Sequence, residues 1–135
     1  MSETPRFLSL EVVLALHADT IREEGGATGL RDRGLLESAL AMPQAQFGGI
    51  MLHPDLASMS AAYLFHIASN HAFVDGNKRV AALSALIFLD RNGVPFKRLP
   101  EQVELERVTM AVARRDITKE ALIEWFRQTL SQSPD

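Results

Sequence analysis

A chain of 135 residues has the length of one domain, spanning 1–135, and can bury a core without covalent staples. The absence of cysteine excludes disulfides and thiolate metal sites, and the formal charge of −3 argues against a protein whose main task is to grip a nucleic-acid backbone. No basic stretch near the start leads into a long apolar run, and the longest apolar stretch, Val80 to Leu89, is interrupted by Ser84 and too short to cross a bilayer. A cytoplasmic protein without membrane contact is the expectation.

Taken in chain order, the punctuation is helical. Ser9 reads as an N-cap, with Leu8 and Val13 placed as a hydrophobic staple. The stripe Val12, Val13, Leu16, Thr20 and Ile21 follows, and Gly25-Gly26 stops the helix. Asp32 caps a shorter helix with Leu35, Leu36, Ala39 and Leu40 on one side, and Pro43 ends it. The stretch "QAQFGGIMLH" reads as irregular. Pro54 is placed as the first residue of a third helix, with Asp55 in its first turn and Leu56, Met59, Tyr63, Ile67 and Asn70 along one face. A fourth helix, from Asn77 to Arg91, is apolar nearly all round and ends at Asn92-Gly93. The segment "VPFKRL" is the one candidate strand. A fifth helix over Glu101 to Arg114 turns Val103, Val108, Ala111 and Val112 inward. The last opens at Thr118, with Ile117 and Leu122 as a staple and Ala121, Leu122, Trp125, Phe126 and Leu130 as its stripe. The first few residues and "SQSPD" read as disordered ends. The fold expected is all-α: a bundle of about six helices around a central, buried fourth helix.

Polar groups crowd into "HAFVDGNKR", His71 to Arg79, directly before that buried helix. The N–H groups that open a helix lack partners and, with the helix dipole, make an anion site. Gly76 lets the backbone approach a ligand closely. Lys78 adds a point charge and Arg79 a fork matched to phosphate. Two cations at a helix start oppose the dipole, and such a conflict with a local rule points to function; a merely solvated helix start is the alternative. His71, the one side chain here that ordinarily titrates near neutrality, can sit across the loop as general base toward a hydroxyl. Asp75, beside a phosphate site, is a natural Mg²⁺ ligand or else a loop cap. Phe73 reads as a buried anchor. His66 and His71 do not share a helix face, and no His-Glu-x-x-His pattern exists, so no histidine-bound zinc is expected. A non-catalytic module binding a nucleotide or phosphorylated ligand could use the same anion site, but binding alone needs no base. Direct DNA contact is not expected without a basic recognition helix.

The segment "HAFVDGNKR" resembles the Fic superfamily signature His-x-Phe-x-(Asp/Glu)-Gly-Asn-(Gly/Lys)-Arg. Its lysine after the asparagine is similar to the Doc (death-on-curing) branch, toxins of toxin–antitoxin pairs. "GLRDRGLLESALAMPQAQFGG" and "FLDRNG" also look like Doc-type sequence, and the likeness covers most of residues 9–130. The resemblance implies the Fic fold, with the motif loop joining two central helices. It implies transfer of part of ATP, with Mg²⁺, to a protein hydroxyl. His71 would be the general base, Asp75 the Mg²⁺ ligand and Phe73 the hydrophobic anchor. Gly76 and Asn77 would help form the anion hole, and Lys78 and Arg79 would bind the phosphates.

AMP-transferring members usually have glycine where this chain has Lys78, and a second arginine where it has Ala82. Doc-type toxins share these departures and are kinases that phosphorylate a threonine of elongation factor Tu, stopping translation. The resemblance therefore implies γ-phosphoryl transfer, with AMP transfer as the alternative. "TIREEG", Thr20 to Gly25, fits the inhibitory (Ser/Thr)-x-x-x-Glu-(Gly/Asn) pattern of AMP-transferring members, with Glu24 as inhibitor. That pattern is short and also occurs on solvated helix ends. In the Doc branch the silencing segment comes from a cognate antitoxin, whose helix would take an apolar groove near the site. Phe47, Ile50 and Met51 are assigned either to a groove wall or substrate flap, or to pinning a loop on the core.

Overall fold

Side-chain caps set where most of the helices begin in this computed structural model, which describes residues 4–132. Helix α1 (Leu10–Glu24) starts where the Ser9 hydroxyl accepts the Val12 N–H. Helix α2 (Arg33–Ala41) starts where Asp32 accepts from Leu35, and α6 (Lys119–Ser131) where Thr118 accepts from Ala121. Helix α3 (Leu56–Asn70) departs from the expectation: Asp55 is its N-cap and Pro54 stands outside it. The Asp55 carboxylate accepts the Ser58 N–H at 2.8 Å while the Ser58 hydroxyl accepts the Asp55 N–H at 3.2 Å. This capping box satisfies two main-chain donors, more than a carboxylate within the first turn could. Helices α4 (Asn77–Arg91) and α5 (Gln102–Ala113) have no side-chain cap. The disorder expected at the two ends falls in part on residues 1–3 and 133–135, outside the described residues.

Helix α4 is central, as its composition requires, and α3 shares the centre with it. Seven of its residues and ten of α3's are buried. The Tyr63 and Phe88 rings meet between the two helices at 5.1 Å, and Phe7 stacks on Phe88. The Tyr63 hydroxyl accepts the Leu8 N–H at 2.9 Å, pinning the segment before α1, and burial pushes its phenol up to about 12. Helix α6 packs along α3, and Arg127 reaches back to Asp55 at 3.0 Å.

Three local expectations are corrected. The stretch after α2 forms a short antiparallel hairpin, β1 (Gln46–Phe47) with β2 (Ile50–Met51), pairing Phe47 with Ile50 across a Gly48-Gly49 turn. "VPFKRL" is a 3-10 turn over Phe96–Arg98 rather than a strand, because Pro95 enters it with no N–H to give a ladder. Val103 of α5 is 73% exposed; the inward face is Leu105, Val108, Thr109 and Val112, and Val103 lies off that stripe. No helix among the described residues is long and apolar enough to cross a membrane.

Candidate active site

The loop between α3 and α4 is held from both sides. His71 ends α3 in the left-handed conformation, with φ 51° and ψ 46°, which turns the chain sharply out of the helix. The segment before α2 then clamps the loop. The Arg31 side chain donates to the His71 carbonyl, the Arg31 and Asp32 N–H groups donate to the Ala72 carbonyl, and the Val74 N–H donates to the Gly29 carbonyl. Phe73 is buried and its ring stacks on His17 of α1 at 3.9 Å. Asn77 closes the loop on itself: its side-chain oxygen accepts the Phe73 N–H at 3.0 Å and its NH₂ donates to the Phe73 carbonyl at 2.9 Å. The Asn77 side-chain amide is thus committed to the loop.

His71, Asp75, Gly76, Asn77, Lys78 and Arg79 line one cleft of about 970 Å³. Phe73 lies beneath it in the core. Gly76, the residue before α4, has φ 82°, a left-handed conformation that favours glycine. Helix α4 therefore presents unsatisfied N–H groups to the cleft. Lys78 is exposed and forms no ion pair among the described residues. Arg79 is engaged: its guanidinium bonds Glu24 at the end of α1 and reaches Glu106 of α5 at 3.5 Å. The Glu24 hydrogen bond, with the surrounding carboxylates, raises its already high pKa, so it stays a cation. The Asp75 carboxylate accepts N–H bonds from Ala27 and Gly76, each at 3.2 Å, and each oxygen keeps a further lone pair.

The family model for the Fic/DOC family matches residues 7–89, from α1 to near the end of α4. The chain belongs to the Fic/DOC family. It is 37% identical over 123 residues to "Protein kinase doc" of Escherichia phage P1, covering 91% of this chain and 94% of that protein. It is 44% identical over 92 residues to "Toxin Doc" of Mycolicibacterium smegmatis, covering 68% of this chain and 71% of that protein.

Within this family member, sequence reasoning missed several groups at the site. In sequence, Gly26 reads only as part of a helix stop. A Cβ on it would lie 2.9 Å from the Asp75 carboxylate, so the second glycine of the pair is there to let Asp75 approach. Glu106 and Arg114 of the α5 region also line the cleft, and no local signal in their stretch reveals it. His17 had a signal, since it sits four residues after Val13 and four before Ile21, on α1's apolar stripe. Ala82, which stands where AMP-transferring members usually have a second arginine, is part of the cleft wall. Phe47 and Ile50 are exposed at the hairpin and Met51 packs on the core; none of the three lines the cleft.

Proposed function

We propose that the chain is a Doc-type toxin that transfers the γ-phosphoryl group of Mg-ATP to a hydroxyl of a protein target and is silenced by a cognate antitoxin. The observation that carries this reading is the uncapped, doubly cationic start of α4, opening on the same cleft as His71 and Asp75. The names of the two relatives, one a kinase and one a toxin, support it.

In the step proposed, the oxygen of the target hydroxyl bonds to the γ-phosphorus as His71 takes its proton. The bond from that phosphorus to the bridging oxygen breaks, and ADP leaves with the electron pair. Lys78, Arg79 and the N–H groups of α4 stabilise charge on the transferred group. Arg79 first exchanges Glu24 and Glu106 for phosphate oxygens. The donor set fits Mg²⁺ that arrives with the nucleotide: the Asp75 carboxylate lines the cleft with a lone pair left on each oxygen, and Mg²⁺ on a nucleotide needs only one or two carboxylates. Asp75 would hold the ion, which when bound neutralises charge on the phosphate oxygens.

Lys78 and Ala82 favour γ-phosphoryl transfer over AMP transfer: compared with the AMP-transferring pattern, Ala82 removes one bidentate clamp on the phosphate chain and Lys78 adds charge beside Arg79. We assign the target as a threonine of elongation factor Tu, in the cytoplasm. For the antitoxin, a second groove of about 910 Å³ runs beside the cleft, with apolar Leu16, Leu83, Leu86 and Phe96 and acidic Asp19 and Glu23. It suits an amphipathic helix carrying basic residues. Incubation of the chain with elongation factor Tu and ATP labelled in the α or γ position tests the reaction. Label is expected from the γ position. Label from the α position alone would replace the kinase reading with AMP transfer, and nucleotide binding with no product would favour a binding module.

A further inference from the structure

We propose that His17 is a positioning residue that orients the Asp75–Gly76 peptide and thereby aims the Gly76 N–H into the cleft. The consequence for phosphate binding rests on the function proposed above; the orientation itself does not.

His17 lies on α1 and is only 6% exposed. Its ring stacks on Phe73 at 3.9 Å, with planes 10° apart. Its Nε2 lies 2.8 Å from the Asp75 carbonyl oxygen. A carbonyl oxygen only accepts, so Nε2 carries the proton and donates. A trans peptide holds its C=O and N–H on opposite sides. With the carbonyl fixed down onto α1, the Gly76 N–H must point away from α1, where the Asp75 carboxylate now accepts it at 3.2 Å. Gly76 packs on the same face: a Cβ there would be in ordinary contact with the His17 ring at 3.6 Å and with Ile21 at 3.4 Å.

The two functions of the imidazole are separable. Any aromatic ring could stack on Phe73, but only a donor at the far edge reaches Asp75. A purely structural ring would leave the polar edge without purpose in a buried place, where an unmatched polar group is costly. His17 touches no reacting atom; it acts through the peptide plane that holds an anion-binding N–H.

The test compares His17→Phe, which keeps the stack and loses the donor, with His17→Gln, which keeps a donor at similar reach and loses the ring. The readouts are the ¹⁵N–¹H resonance of Gly76 without ligand, melting temperature, and kcat and KM for Mg-ATP. His17→Phe is expected to melt near the wild type yet broaden or split the Gly76 resonance. It should raise KM for Mg-ATP about tenfold, the effect of one mispositioned hydrogen-bond donor. His17→Gln should restore a single Gly76 resonance and most of the KM. An unchanged Gly76 resonance and KM in His17→Phe would overturn the proposal, as would equal impairment of both variants. Should His17→Phe fail to fold, His17→Gln against His17→Leu makes the same comparison, with the ring absent from both. Absence of transfer by the wild type would strike the kinase reading, while the Gly76 resonances would still decide the role of His17.

Discussion

Helices α3 and α4 are each fifteen residues long, lie side by side at the centre, and treat their first turns in opposite ways. The start of α3 is closed. Asp55 and Ser58 satisfy each other's main-chain donors, and Arg127 pairs with the same carboxylate. There burial would push the Asp55 carboxyl up, but the Ser58 and Arg127 bonds together hold it below its ordinary value. The start of α4 is open. It follows a glycine with no side-chain cap, carries Lys78 and Arg79 where a helix dipole prefers carboxylates, and faces a cleft. One helix start is closed by side-chain bonds; the other carries two cations against its dipole and leaves its first turn without a side-chain cap.

Substitutions at the two ends should therefore separate activity from stability. The largest effect is expected from His71→Ala. Transfer should fall by about 10²–10⁴-fold, the usual contribution of a general base, with melting unchanged because the side chain is exposed. Labelled-ATP transfer alongside a thermal melt checks it, and surviving activity would remove His71 from the chemistry.

Acid should destabilise the fold through His66 on α3 and His53 just before that helix. Burial, then the nearby charges of Lys119 and His53, lower the His66 pKa to about 4, and burial followed by Lys119 also lowers that of His53. Both rings are neutral in the folded state where the unfolded chain would protonate them. Their stabilising effect is full above about pH 6.5 and is lost as pH falls toward 4, on the order of 2 kcal/mol for His66 once solvent screening is allowed for. Urea midpoints at several pH values should show this, and His66→Gln should flatten the slope.

Asp55→Ala removes the cap and the Arg127 pair, and should cost about 2 kcal/mol in urea unfolding while leaving transfer intact. Gly26→Ala should cost about 1–2 kcal/mol, since the added Cβ meets Asp75 at 2.9 Å and the residue sits at φ 113°. The smallest effect is the most diagnostic for the comparison. Lys78→Ala should stabilise the fold by a few tenths of a kcal/mol by relieving the dipole conflict, while weakening nucleotide binding.

Much of this contrast could be read from sequence, because its signals are local. Ser9, Asp32 and Thr118 each precede an apolar stripe, and each forms the cap bond its position implies. The polar run at His71–Arg79 stood out against the apolar helix that follows it. What escaped was whatever depends on a distant partner. His17 meets Asp75 from 58 positions away, and Ala27 donates to Asp75 from 48. The sequence starts α3 two residues too early, at Pro54, because proline at a first helical position and aspartate at a cap are both good local solutions, and the Ser58 hydroxyl decides between them. The hairpin escaped because each of its strands is only two residues long, too short for any alternation to show.

The central claim is that the open start of α4 binds phosphate. A ¹⁵N–¹H titration of the chain with Mg-ATP tests it most directly. The amides of Gly76, Asn77, Lys78 and Arg79 should shift most, while those of Leu56, Ala57 and Ser58 at the closed start of α3 should stay in place. Saturation with Gly76–Arg79 unmoved, or equal shifts at both helix starts, would contradict the account.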